Sequence, residues 1–212
     1  AGHNQGYRGL EGTTHYRRIW FLKPAAGFGG VWFVLDEIVG SGDHTCQLWY
    51  HFAPGQVASD PARLRFWTAE DGGNVLLSVA ASPDVTAEVR AGIASWNGLR
   101  ELPVACVESR GLPAWFATAL VPFRGKEPPQ LGMQLLDTPA ASGWRAVWIE
   151  QGPEAYLCAW PSPHERSVQE VGQVPLPDGE VFTVSGNGVA ARFRRENQRW
   201  AAALVHQLTR EP

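Results

Sequence analysis

Apolar residues in this chain come in short runs, and Gly, Pro, Asn or Asp closes nearly every one of them. Between His15 and Pro54 the runs are Ile19–Leu22, Val31–Val39 and Thr45–Ala53, separated by Pro24-Ala-Ala-Gly27 with Gly29-Gly30 and by Gly40-Ser-Gly-Asp43. They are rich in Trp, Phe, Val, Ile and Tyr, whose branched or flat side chains suit a pleated, half-buried surface. The pattern predicts three strands in an antiparallel meander. Further strands follow at Arg63–Thr68, with Leu64 and Phe66 on one face, and at Val75–Ala81, Val85–Ile93, Pro103–Val107 and Ala114–Pro122. Beyond Arg124-Gly-Lys-Glu-Pro-Pro129, the most linker-like stretch, come Met133–Leu136, Trp144–Glu150, Ala155–Trp160, Val168–Val174, Val181–Val184 and Val189–Arg195. Asp178-Gly179 and Asn187-Gly188 read as hairpin turns. Trp200–Leu208 has some helical propensity but reads as a closing strand, because a hairpin partner precedes it. Many short strands at this spacing indicate an all-β fold, a two-sheet antiparallel sandwich. The predicted division is an entry segment at 1–14, whose first three residues also read as a cloning remnant, and one domain over 15–212.

Composition narrows the function classes. A chain of 212 residues buries a sizeable core, roughly 70% of its unfolded surface for domains of this size. The net charge of −3 argues against a globally basic nucleic-acid or membrane binder, so capture of a polyanion has to be local. No apolar run approaches the ~20 residues of a membrane helix. Cys46, Cys106 and Cys158 have neither metal spacing nor a disulfide framework, and each lies in an apolar run, so they read as core thiols. The chain does not begin with Met and reads as a piece of a longer protein.

Three sets of residues carry candidate chemistry. On a strand, neighbours diverge and alternate residues share a face. His15 therefore pairs with Arg17, Tyr16 with Arg18, and His44 with Tyr50. His15 and Arg17 make a cationic pair suited to a sugar carboxylate; the plain alternative is a solvated strand edge. His44 reads by default as a loop-end hydrogen bonder, and His51, near the end of an apolar strand, as a core or interface histidine. Asp36 and Glu37 are adjacent and diverge, which disfavours a glycosidase pair facing each other ~5–9 Å apart. Gly27-Phe-Gly-Gly30 has no following helix and is a turn, not a phosphate loop. The histidines show no i,i+2 or i,i+4 pairing, so no metal or other cofactor is expected in this segment. Ten Trp are too many for one core of this length. Trp144 and Trp148 share a face and read as a sugar-binding platform, or as residues packed against a missing domain.

The segment Gly6-Tyr7-Arg8-Gly9-Leu10-Glu11-Gly12, followed by His15-Tyr16-Arg17-Arg18, resembles a stretch in the C-terminal β-domain of heparinase II/III-like proteins. The likeness continues in order through Val31–Glu37, Gly40-Ser-Gly-Asp-His44 and His51-Phe-Ala-Pro54, with a weaker echo at Ser95-Trp96-Asn97-Gly98 and Pro113–Pro122. It implies a polysaccharide lyase made of an N-terminal helical toroid and a C-terminal β-sandwich, cleaving uronic-acid glycans by β-elimination. Most active-site groups then lie on the toroid, which this chain lacks, so the segment is expected to be inactive alone. His3-Asn4 sits too close to Gly6-Tyr7 for the family's metal motif, which leaves metal dependence of the parent open. The implied partners are the toroid and an acidic polysaccharide, with His44 and His51 as interdomain residues, in a secreted or periplasmic protein. The alternative from another class is a non-catalytic carbohydrate-binding or scaffolding sandwich.

Overall fold

The structure is a computed structural model that describes residues 2–4, 12–23, 30–82, 84–94, 100–138, 143–162 and 171–207. Among them there is no α-helix, only a 3₁₀ turn at Pro61–Arg63, and every strand pairing is antiparallel. The chain forms two compact units, Ala1–Pro129 and Gln130–Pro212. The sequence reading placed one domain over 15–212; the division falls at the charged, proline-rich stretch, where few side chains favour strand pairing. Gly6–Glu11, Pro24–Gly29, Ser95–Gly98 and His164 lie outside the described residues.

The first unit contains β1 (Gly2–Asn4), β2 (Thr14–Leu22), β3 (Val31–Val39), β4 (Thr45–His51), β5 (Val57–Asp60), β6 (Arg65–Thr68), β7 (Gly73–Ala81), β8 (Val85–Ala94), β9 (Arg100–Arg110) and β10 (Ala114–Arg124). One sheet has the order β1-β2-β3-β10-β7-β6-β5, and a second has the order β4-β9-β8. The meander is therefore wrong at its third strand. β2 and β3 pair as expected, but β3's other neighbour is β10, and β4 crosses to the second sheet. The Gly40–Asp43 turn is a crossover, helped by left-handed φ values at Gly40 and Gly42 that glycine adopts without strain. Leu64 also departs from expectation. It caps the 3₁₀ turn in the left-handed region, so β6 begins at Arg65, two residues later than expected, and of the two only Phe66 is a strand residue facing the core.

The two sheets share one core, drawn from Leu48 and Phe52, from Phe66, Leu77 and Val79, and from Ala105, Val107, Ala114 and Phe116. This is a sandwich, with alternate residues of each strand contributing to the layer between the sheets. β4 is an edge strand, and the three-stranded sheet is narrower than the seven-stranded one. Along β2 and β3 the inner row accordingly ends in water, where Ile19, Phe21 and Trp32 are about half exposed.

The second unit holds β11 (Gly132–Leu136), β12 (Trp144–Gln151), β13 (Glu154–Pro161), β14 (Val171–Pro175), β15 (Val181–Ser185), β16 (Val189–Glu196) and β17 (Arg199–Gln207). Five strands form a sheet in the order β11-β12-β13-β16-β17, and β14-β15 is a separate hairpin. Asp178-Gly179 does close that hairpin, and the closing strand expected from Trp200 onward is β17, Arg199–Gln207. Asn187-Gly188 instead joins strands of different sheets. The core is built on Trp144, Trp148, Leu157, Val174, Val184 and Phe193, with Trp200 packed against it. Gly172 lets β14 come down onto the Trp144 ring, since a Cβ there would lie 2.6 Å from the indole.

Candidate functional site

In the first unit, the margin of the sandwich between edge strand β4 and strands β2 and β3 opens into a cavity of about 330 Å³. That volume lies at the small end of the range for ligand pockets, about 300–1,000 Å³. His15 and Arg17 of β2, Asp36 of β3, His44, and Gln47 and Trp49 of β4 are among its lining residues.

Strand register explains the grouping. Arg17 lies directly opposite Asp36 on β3, and His15, two residues back, projects from the same face. Asp36 is 1% exposed. Its Oδ1 accepts from Arg17 Nε at 2.6 Å and meets His15 Nε2 at 2.6 Å, and its Oδ2 accepts from Arg17 Nη2 at 3.1 Å. A buried carboxylate is stable when it is paired and hydrogen-bonded, and the two-point guanidinium contact is the strong form of such a pair. The Arg17 side chain remains 48% exposed, so a cation held rigidly from inside still reaches the cavity. His15 and Arg17 thus converge, and they are anchored from within rather than forming a solvated edge.

Asp36 and Glu37 diverge as expected. Glu37 points to the other face of the sheet, where Arg18 lies 3.8 Å away. Burial lowers the Arg18 pKa from its ordinary value, with Glu37 opposing the shift. Two carboxylates facing one another, as a glycosidase needs, are not formed by this pair.

On β4 the even positions turn inward. Tyr50 is half-buried in the sandwich, and burial raises its pKa; Asp36 and Arg17 lie close enough to act on it electrostatically, in opposite directions. His44 lines the cavity, and His51 is exposed at the end of β4, which excludes the core alternative of its reading. The structure therefore brings His44 to the site and leaves His51 out.

The tryptophan platform needs correcting. Trp144 and Trp148 are 2% and 1% exposed, and Trp148 packs on Phe193 and Trp200 at 5.1 and 5.3 Å between ring centroids. Neither indole offers a face to a sugar, nor to a missing domain, because the second unit consumes both in its own core. The exposed indoles among the described residues are Trp32 and Trp49, at 49% and 42%. Sequence spacing missed them, since exposure of a strand residue depends on which sheet covers it. The thiols behave as expected in two cases: Cys106 and Cys158 are buried, and Cys46 is half-buried. Among the described residues no three His, Cys, Asp or Glu side chains group as metal ligands.

Residues 1–127 match the model of the heparinase II/III-like C-terminal domain. No curated protein matches the chain. Among solved structures it is similar to heparinase III, with a TM-score of 0.60 at 16% identity, over 75% of this chain and 25% of that one. It is similar also to heparan sulfate lyase HepC from Pedobacter heparinus, with a TM-score of 0.60 at 15% identity, over 78% of this chain and 26% of that one. At these identities the likeness is one of fold, and the chain spans about a quarter of the length of the enzymes it resembles. With more than half of its length matched by one family model, the chain belongs to the heparinase II/III-like family, through that family's C-terminal β-domain.

Proposed function

We propose that this chain is the C-terminal domain of a polysaccharide lyase that cleaves uronic-acid glycans by β-elimination. The observation that carries the reading is the family match over residues 1–127, in a chain spanning a quarter of the heparinase III structures it resembles. The remaining part of such a protein, a helical toroid, would supply most of the catalytic groups, and this domain would form one wall of the cleft. An acidic polysaccharide would then be the substrate, in a secreted or periplasmic setting.

The geometry of the cavity supports a role in carboxylate recognition. In β-elimination a base removes the proton at C5 of the uronate, the C4–O bond breaks, and a double bond forms between C4 and C5 as the leaving oxygen gains a proton. The C5 proton becomes acidic only when the neighbouring carboxylate is neutralised. Arg17, held by buried Asp36 and flanked by His15, is a charge-assisted donor fixed in place for such a group. A complete acid and base set would then draw on groups of the toroid.

The test compares the longest native form of the protein with this 212-residue chain on glucuronate- and iduronate-containing glycans. The readout is the ultraviolet absorbance of the unsaturated uronate. The expected result is absorbance from the longer protein and none from the chain alone. New reducing ends without absorbance would identify a hydrolase and overturn the reading.

A further inference from the structure

We propose that the chain immediately upstream of Ala1 continues β1 as a strand along Arg18–Leu22 of β2, and that this segment of the longer protein covers the apolar patch of Ile19, Phe21 and Trp32. The proposal rests on the lyase-domain reading for the existence of upstream sequence, and on strand register for where that sequence lies.

β1 is three residues long and β2 is nine, and all nine residues of β2 pair with β3 on its other side. Against β1 the register runs Asn4 to His15, His3 to Tyr16 and Gly2 to Arg17. The strands are antiparallel, so each step back along β1 is a step forward along β2. The residue immediately before Ala1 then falls opposite Ile19, and the third before it falls opposite Phe21. Directly opposite residues share a face of the sheet. The first and third upstream residues are therefore set beside Ile19 and Phe21, on the face where Trp32 lies opposite Phe21 across the β2–β3 ladder. The second and fourth fall opposite Trp20 and Leu22, whose side chains are buried.

The patch is a fixed surface. Ile19, Phe21 and Trp32 are 58%, 52% and 49% exposed. The rings of Phe21 and Trp32 pack at 4.9 Å between centroids, and Phe21 lies against Gly30, where a Cβ would come within 2.4 Å of its Cζ. Apolar residues clustered at the end of a strand near a sheet edge invite pairing with another strand, and native proteins cover such places. The chain's own continuation has the strongest claim on this one. β1 has already closed the loop to β2 and set the register, so extending it adds cross-strand contacts without a further closure cost. Its effective concentration also exceeds that of a second copy. The first and third upstream residues should accordingly be β-branched or aromatic. The connection from the upstream part of the protein then arrives along the strand that bears His15 and Arg17, and splints it.

The test is amide hydrogen exchange, read by mass spectrometry, on the longest native form of the protein and on the 212-residue chain. In the native form, the residues just before Ala1 should exchange at least roughly tenfold more slowly than an unstructured peptide. Arg18–Leu22 should exchange more slowly in the native form than in the shorter chain. Phe21→Lys in the native form places a charge in the patch and should speed exchange of the upstream segment. Unchanged exchange of β7 in that variant separates loss of the strand from loss of the fold. Upstream residues exchanging at the unstructured rate in a longer native protein would overturn the strand and leave the domain reading intact. Protection of Arg18–Leu22 that rises with the concentration of the 212-residue chain would give the patch to a second copy, and would also overturn it. A native protein no longer than this chain would overturn the strand and the domain reading together.

Discussion

Asp36 is a charge that water does not reach, and this decides how substitutions around it behave. Arg17→Ala strands a buried carboxylate with the His15 imidazole still against its Oδ1. Asp36→Ala removes the buried charge and leaves a guanidinium whose side chain is already half in water. Breaking a buried pair by deleting one partner costs about 3–5 kcal/mol, and solvent access to Arg17 favours the low end, about 3 kcal/mol for Arg17→Ala. Asp36→Ala should cost less, and the double variant less than Arg17→Ala alone. Urea denaturation of the three variants checks the order. His15 and Arg17 were legible as a pair from strand alternation alone. Their dependence on Asp36 was not, because it needs the register of β2 against β3, and the apolar pattern leaves that register open. Trp49 was hidden for a related reason. Its exposure follows from which face of β4 the core takes, Leu48 turning inward and Trp49 outward, and Thr45–Ala53 alone does not announce that choice.

Strands as elements were read more successfully than the connections between them. Val31–Val39 is β3 residue for residue, and most of the other runs overlap a strand, because alternating apolar residues fix extended backbone locally. Pairing partners depend on distant sequence, so the first crossover and the Asn187-Gly188 turn were both misread as hairpins. The hairpin that does connect β16 to β17 lacks glycine. Asn197 and Gln198 both take positive φ, at 46° and 68°, between paired residues Glu196 and Arg199. A two-residue turn of this kind prefers Asn-Gly. Gln198→Gly should therefore stabilise the second unit by about 1 kcal/mol by relieving a left-handed non-glycine residue. A rise in its urea midpoint without a change in slope would verify this.

At the scale of the whole molecule, several buried acids favour their protonated forms. Burial raises the pKa of the Cys46, Cys106 and Cys158 thiols and of the Tyr50 and Tyr156 hydroxyls. In the unfolded chain thiols ionise from about pH 8.5 and tyrosines from about pH 10. Above those values the native state binds more protons than the unfolded state, so stability falls as pH rises. Their contribution is fully present below about pH 8.5 and is lost progressively above it. Denaturation midpoints measured from pH 7 to 10.5 should decline at the alkaline end, and the decline should shrink in a Cys158→Ala variant.

The all-β class and the family were legible in the sequence; the two-unit division was announced only by its proline-rich boundary. The most direct test of the central claim is the mass of the native protein in its source cells, detected with an antibody against this chain. The account predicts one species of which these 212 residues are about a quarter, the proportion they bear to heparinase III, with the extra sequence upstream. A native species no longer than this chain would contradict it and leave a binding module in place of a lyase domain.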